Sequence, residues 1–243
     1  MRFRPEILPF LLAAVLVGLL LSLLLGRFTR LRWKHAAIPG IIFVMIFGGY
    51  FFWFFRNPVR VAPKGDDLVV AAADGVIAKI TKFSPSEFGK ITMLAGLKPE
   101  DVANLTNSGD IVRISIFLSL FDVHVNRAPI AGKSRFLGYF PGKHFFTFQE
   151  KSSDVNQHNS IFIQGEKTCC LVNQIVGPVC RRVVYWPDHD KSVDLALGAP
   201  FGMMKFGSRL DMYFPASDIK LLVKVGPHVT AGETVIAKIV KTK

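Results

Sequence analysis

Two uncharged, mostly apolar runs open this chain, and they restrict what it can fold into more than anything that follows. Leu8 to Gly26 is nineteen residues without a charge. At ~1.5 Å per residue a helix of that length reaches ~28 Å, close to the hydrocarbon thickness of a bilayer. Ile38 to Phe55 is a second such run of eighteen residues, opened by Pro39 and closed by the aromatic series from Tyr50 to Phe55. That series fits a membrane-interface belt. The segment between the runs carries Arg27, Arg30, Arg32 and Lys34. A signal peptide is the competing reading of the first run. It fails on the long apolar core and on the lack of a small-x-small cleavage site. Residues 1–60 are therefore expected to form a helical hairpin anchor, spanning or shallowly inserted, whose two ends emerge on one side. Arg2, Arg4, Arg56, Arg60 and Lys64 flank that side. The loop's four bases nearly balance them, so the positive-inside rule gives only a weak orientation.

Charge and hydropathy together narrow the class of partner. The formal net charge is +12, yet half of the residues are hydrophobic. Basic and apolar at once favours an anionic lipid surface over nucleic acid, whose binders are basic and polar. The three cysteines, Cys169, Cys170 and Cys180, have no metal-ligand spacing. They read as reduced core thiols, and the adjacent pair points to opposite faces of a strand. No metal site is expected.

From residue 61 to 243 short β-branched and apolar runs alternate with Gly, Pro, Asp and Lys. The strand candidates are Asp67–Ala72, Gly75–Phe83, Ile111–Phe117, Ser160–Ile163, Thr168–Val176, Val179–Tyr185, Arg209–Phe214 and Ile219–Val223, with one helix near Pro99–Leu105. Such spacing predicts a mostly β domain. The pentapeptide VIAKI occurs twice, at Val76–Ile80 and Val235–Ile239. A turn-rich lead-in followed by V-I-A-x-I resembles the half-motif of biotinyl and lipoyl barrel-sandwich folds. The domain is therefore expected to be barrel-sandwich-like, with equivalent strands from its two ends.

Three places carry potential chemistry. Gly207-Ser208 lies between Met203–Phe206 and the alternating Leu210, Met212 and Phe214, so a tight bend there would press a serine hydroxyl against the preceding carbonyl. An ordinary hairpin turn is the plainer reading of the same dipeptide. Asp122 and His124 stand two apart at the end of an apolar run, and in an extended segment they share a face. Asn126 and Arg127 follow at once. Asp74-Gly75 opens the first VIAKI strand, where a turn aspartate ordinarily bonds its own backbone.

FFRNPVR (54–60), AADGVIAKI (72–80), FLSLFDVHVNRAPIAGK (117–133) and GMMKFGSRLDMYFP (202–215) together resemble the phosphatidylserine decarboxylase proenzymes, nearest to their shorter bacterial and archaeal class. FDVHVNRAP and FGSRLDMYFP in that order are the specific part. The likeness covers nearly all of residues 51–239.

The resemblance implies a proenzyme that cuts itself between Gly207 and Ser208, leaving a β chain to residue 207 and an α chain of residues 208–243. The Ser208 hydroxyl attacks the Gly207 carbonyl, His124 serves as general base and acid, and Asp74 orients His124. Elimination from the ester and hydrolysis convert Ser208 into a pyruvoyl group. That group forms a Schiff base with the serine head group of phosphatidylserine and accepts the electrons left when CO2 departs, so neither PLP nor a metal is required. Arg127 and Lys133 are candidates to hold the lipid phosphate. Longer family members carry a second histidine where Arg127 stands, and residues 141–159 depart from the family's usual wording. The implied partners are an anionic phospholipid membrane, the phosphatidylserine substrate and the two chains of one precursor, compatible with a homo-oligomer and without nucleic acid. The implied place is the cell membrane, with the catalytic domain on its cytoplasmic face. The alternative is a membrane-anchored barrel-sandwich lipid-binding or carrier protein without catalysis. Met204-Lys205 superficially resembles a biotin-bearing hairpin, but lies in the wrong place relative to the VIAKI copies.

Overall fold

The structure is a computed structural model that describes residues 2–29, 32–89, 96–106, 109–178 and 183–240. Arg30 and Cys180, named above, lie outside them. The chain divides into two units, Met1–Val59 and Arg60–Lys243.

In the first unit, strand β1 (Arg2–Phe3) precedes helices α1 (Leu8–Thr29) and α2 (Trp33–Phe54), and β2 (Arg56–Asn57) follows. Both helices are long and apolar enough to cross a membrane. In a bilayer two such helices would have no hydrophobic drive to associate, and close backbone contact through small residues would be what holds them. A Cβ added to Gly40 would lie 2.2 Å from the Gly18 carbonyl oxygen, and one added to Gly18 would lie 2.8 Å from that of Gly40. The helices thus cross glycine on glycine, with Ala14 and Ala36 also buried. The α2 helix starts at Trp33, ahead of the apolar run. Pro39 removes only one hydrogen bond near the helix start, so helical pairing extends back through Lys34 and His35. Antiparallel pairing of Arg2 with Asn57 and of Phe3 with Arg56 closes the hairpin and puts both its ends together.

The second unit is mostly β. Its strands are β3 (Leu68–Val70), β4 (Gly75–Phe83), β5 (Ile111–Leu118), β6 (Val125–Arg127), β7 (Gly132–Phe140), β8 (His158–Gln164), β9 (Cys169–Ile175), β10 (Val184–Tyr185), β11 (Val193–Leu195), β12 (Pro200–Met203), β13 (Ser208–Pro215), β14 (Ile219–Leu221), β15 (His228–Val229) and β16 (Val235–Ile239). Short helices α3 (Pro85–Phe88), α4 (Pro99–Thr106) and α5 (Ser152–Val155) interrupt them. Among the described residues the main sheet has eight strands in the order β11-β7-β8-β9-β13-β5-β4-β15, and two three-stranded sheets run β10-β12-β6 and β14-β16-β3. The two VIAKI copies fall in different sheets, on β4 and β16. The anticipated strand at Val179–Tyr185 is described only as β10, since residues 179–182 lie outside the described residues. Strands β6, β7, β11 and β12 lack a clean apolar alternation, and pairing with neighbours makes them strands.

Strand β13 is central, bonded to β5 on one edge and β9 on the other. All eight of its residues are buried, and its two faces differ in kind. Leu210, Met212 and Phe214 join the main apolar core with Ile114, Ile116 and Leu118 of β5. With a period of two, Ser208 lies on that same face. Arg209, Asp211 and Tyr213 fall on the opposite face. Cys170 and Cys169 likewise divide between the main core and a second cluster around Tyr213.

The polar face of β13 is a buried ionic network. Arg209 Nε lies 3.1 Å from Asp211 Oδ1, and Arg113 of β5 pairs with Glu150, Asp154 and Asp211. Burial works against the Arg113 charge, but Asp211, Tyr213 and Glu150 overcome it and raise its pKa. Glu150 and Asp154 are half-exposed, so the stake lies in the buried members: removing Asp211 leaves the buried Arg113 and Arg209 guanidinium groups without their buried carboxylate. Asp211→Ala is expected to cost roughly 3–5 kcal/mol of stability, whereas Lys98→Ala, which breaks an exposed pair with Glu100, should cost under about 1 kcal/mol. Denaturant unfolding of both variants checks this.

Candidate functional site

The bend before β13 is where the backbone leaves ordinary conformations. Phe206 has φ 53° and is the one non-glycine residue with positive φ among the described residues, and Gly207 follows at φ 69°. A left-handed phenylalanine costs ~1–2 kcal/mol, and such strain collects at functional sites. Nothing lies within 4 Å of where a Gly207 Cβ would be, so glycine is favoured there by the dihedral angle and not by space. Ser208 then enters the central strand opposite Leu118. It has no exposed surface, and its Oγ has no hydrogen-bond partner among the described residues. Buried hydroxyls are ordinarily satisfied; those of Thr81, Ser115, Ser153 and Tyr213 share the lack of a partner among the described residues, but Ser208 is the one that follows a strained bend.

The Gly207 carbonyl is gripped from the other side. Thr147 Oγ1 donates to Gly207 O at 3.1 Å. Gly177 also closes on that oxygen, since a Cβ there would lie 2.9 Å from it. Thr147 is almost fully buried between Phe146 and Phe148, which are 53 % and 65 % exposed and stack with centroids 5.4 Å apart. Asn156 holds this segment in place. Its Nδ2 donates to the carbonyls of Phe145 and Val176, and its Oδ1 accepts the Phe145 N–H. The departure from family wording at 141–159 therefore falls on a segment that reaches the Gly207 carbonyl, and a threonine between aromatics gives no local signal of it.

His124 is buried and reaches this region through the sheet. Val125 pairs with Met203, and the Met204 N–H donates to the His124 carbonyl, four residues before Ser208. Its Nδ1 lies 2.9 Å from the Asp122 carbonyl oxygen. A carbonyl only accepts, so Nδ1 carries the hydrogen and the neutral ring keeps its basic lone pair on Nε2. The chain turns between Leu120 and Asp122, so the Asp122 carboxylate does not share a face with His124 in the extended manner. It accepts from Ser119 N and Oγ, both at 2.7 Å, and from His228 Nε2 at 2.8 Å.

Asp74 is held elsewhere. The Arg60 guanidinium forks onto both of its oxygens, at 2.5 and 2.7 Å, and the Ala231 N–H donates to Oδ1 at 2.8 Å. Arg127 belongs to the same buried group. Its N–H bonds the Ala72 carbonyl and its Nη1 donates to Gly198 O at 3.1 Å. Burial first, then the nearby Arg60 charge, lowers its pKa. Lys133 is exposed at the start of β7, paired with Gln164, whose own partner on β9 is Cys169. Ser208 lies beside the Ile175 end of β9. The structure thus gathers Asp74 and Arg127 around Arg60, brings His124 alongside the approach to Ser208, and leaves Lys133 at the opposite end of the sheet. Lys205 is buried, unlike the projecting lysine of a carrier hairpin. Among the described residues, no cluster of three His, Cys, Asp or Glu side chains could hold a metal ion.

Comparison with known proteins finds one family. The profile of the family "Phosphatidylserine decarboxylase" matches residues 47–237. A protein of Saccharopolyspora erythraea named "Phosphatidylserine decarboxylase proenzyme" is 37 % identical over 235 residues, covering 96 % of this chain and 86 % of that one. One of Cereibacter sphaeroides with the same name is 35 % identical over 215 residues, covering 88 % and 83 %. No solved structure matches the chain.

The turn that sets His124 has a pH dependence. Burial raises the Asp122 pKa, but the Ser119 and His228 bonds outweigh it, leaving the group below its ordinary 3.8. A depressed carboxylate stabilises the fold above its unfolded value, and that contribution is lost as pH falls through the folded value. Asp122→Asn is expected to be less stable than the parent at neutral pH, with the difference shrinking below about pH 4. Thermal melts across pH 3–7 measure it.

Proposed function

Because the chain belongs to the phosphatidylserine decarboxylase family, we propose that it is a self-processing proenzyme. It cuts between Gly207 and Ser208, and its α chain then decarboxylates phosphatidylserine to phosphatidylethanolamine and CO2. One observation carries this reading: the buried, unpartnered Ser208 hydroxyl follows directly on the left-handed Phe206–Gly207 bend. A hydroxyl in that position suits attack on the carbonyl before it, and its burial suits a keto group kept from bulk water.

In the first step Ser208 Oγ attacks the Gly207 carbonyl carbon and its proton passes to His124 Nε2. The C–N bond then breaks, the proton goes to the freed Ser208 nitrogen, and the amide has become an ester. Loss of the Ser208 α-proton and of the Gly207 carboxylate, followed by hydrolysis, releases ammonia and leaves a pyruvoyl group at residue 208. That group supplies the electron sink for decarboxylation when substrate is bound. His124 is assigned the proton delivered to carbon afterwards. Asp74 is assigned to orienting His124 and favouring its charged form, which requires its grip on Arg60 to loosen.

The lipid side has its own support. Leu120 and Phe121, just past the Ser208 partner Leu118, are 45 % and 70 % exposed, and Phe146 and Phe148 flank the Thr147 contact. Exposed aromatics around a reactive bend suit acyl chains and a bilayer surface. Lys143 and Lys151, whose ammonium groups lie over the Phe145 ring, suit anionic head groups. Of the basic groups named for the lipid phosphate, Lys133 stands at the far end of the sheet from Ser208, so the phosphate is assigned to Arg127, to be compared against Lys143. The catalytic domain is assigned to the cytoplasmic face, joined to the membrane by α1 and α2.

Intact mass under denaturing conditions tests the processing. Wild type is expected as two chains, the shorter one starting at residue 208 and blocked to N-terminal sequencing. Ser208→Ala should remain one chain without decarboxylase activity, and His124→Ala nearly so. A single wild-type chain would leave the carrier reading in its place. Phe121→Ser and Phe148→Ser are expected to process normally but to raise KM for phosphatidylserine in vesicles, each by roughly tenfold, as the loss of 1.5 kcal/mol or more of apolar burial implies. An unchanged KM would remove the aromatic rim from the lipid site.

A further inference from the structure

Self-cleavage at Gly207 requires more than a nucleophile and a base. As Ser208 Oγ bonds to the carbonyl carbon, the π pair of the carbonyl moves onto Gly207 O, and that oxygen becomes an anion in a part-buried site. Donors already aimed at such an oxygen are commonly the largest single contribution to acyl-transfer catalysis.

On the reading that this bond is the one cut, we propose that Thr147 is a catalytic residue of processing, the hydroxyl that polarises the Gly207 carbonyl and stabilises its oxyanion. The observation is the 3.1 Å hydrogen bond from Thr147 Oγ1 to Gly207 O. Thr147 keeps only 2 % of its surface exposed, so the hydroxyl is not diluted by water.

Three features hold it on target. Asn156 makes three backbone hydrogen bonds across the base of the segment. Ser152 Oγ donates to the Thr147 carbonyl at 3.3 Å, fixing the residue itself. Glu150, three residues on, pairs with Arg113 on β5 and lies 3.7 Å from Arg209 Nη2, the residue after the nucleophile. Donor and nucleophile are therefore both referred to the central strands β5 and β13. That shared frame is the preorganisation such a donor needs. Gly177 completes the fit, because any side chain there would push on the same oxygen.

The step balances without any further reactant. One C–O bond forms, the oxyanion collapses, one C–N bond breaks, and the proton taken from Ser208 Oγ ends on the Ser208 nitrogen. Thr147 donates a hydrogen bond throughout and is unchanged at the end.

The test is the rate of chain cutting in full-length protein synthesised in vitro with phospholipid vesicles and sampled over time under denaturing conditions. Thr147→Val, of similar shape but without the donor, is expected to cut roughly 10²- to 10³-fold more slowly. Thr147→Ser, which restores the hydroxyl, should recover most of the rate. A role in packing alone would give the opposite order, since valine fills the site better than serine. Thermal melting beside the uncut Ser208→Ala protein checks that the valine variant is folded. If it is not, Thr147→Ala is compared with Thr147→Ser instead: both leave a small space, and only alanine, which lacks the donor, should cut slowly. Wild type that cuts while the folded variant cuts equally fast overturns the role of Thr147 alone. Wild type that never cuts overturns the processing reading, and this inference with it.

Discussion

Everything at the candidate site depends on how β13 begins. Ser208 is already locked into the middle of an eight-stranded sheet, whereas Phe206 and Gly207 just before it take left-handed dihedral angles. The strand cannot shift to relieve the bend, because its residues are bonded on both edges from Arg209 to Tyr213. Strain is therefore confined to one peptide unit beside a buried hydroxyl. A flexible hairpin with the same Gly-Ser would relax, and its serine would find water.

The polar face of that strand then recruits the cover. Arg209 and Asp211, together with Arg113 opposite, place charges where the chain must bury them, and charges of that kind need partners. Glu150 and Asp154 supply them from the segment that also carries Thr147. The ionic network is thus less a source of net stability than a means of fixing one arrangement, the better attested use of buried charge. Its consequence is that the Gly207 carbonyl meets a hydroxyl.

A second charged group, Arg60 with Asp74 and Arg127, ties the first residue of the β unit to the turn at Ala231. It explains why arginine can stand at position 127: the side chain is buried against the Gly198 carbonyl in a region already organised by a carboxylate. The His124 ring is set by a backbone carbonyl from its own turn, so its tautomer is independent of Asp74 in this state.

The sequence by itself determined the two apolar helices, the mostly β character of residues 61–243 and the family to which they belong. Each of these rests on local pattern: uninterrupted apolar length for the helices, period-two alternation for strands such as Gly75–Phe83, and short exact motifs around Ser208 and His124. Tertiary structure decided what those motifs touch. Strands β6, β7, β11 and β12 carry weak alternation and exist because neighbours bond them. Asp74 and Arg60, fourteen positions apart, are both held by the turn at Ala231, far along the chain from either. Lys133, close to the histidine motif along the chain, stands at the far end of the sheet because β7 starts there and runs back toward the Ile175 end. Thr147, in the stretch least like the family's wording, arrives at the Gly207 carbonyl through Asn156 and the charges beneath β13. Hydrogen bonds and ion pairs between residues sixty positions apart leave no periodic trace in a sequence, and only the folded chain brings them together.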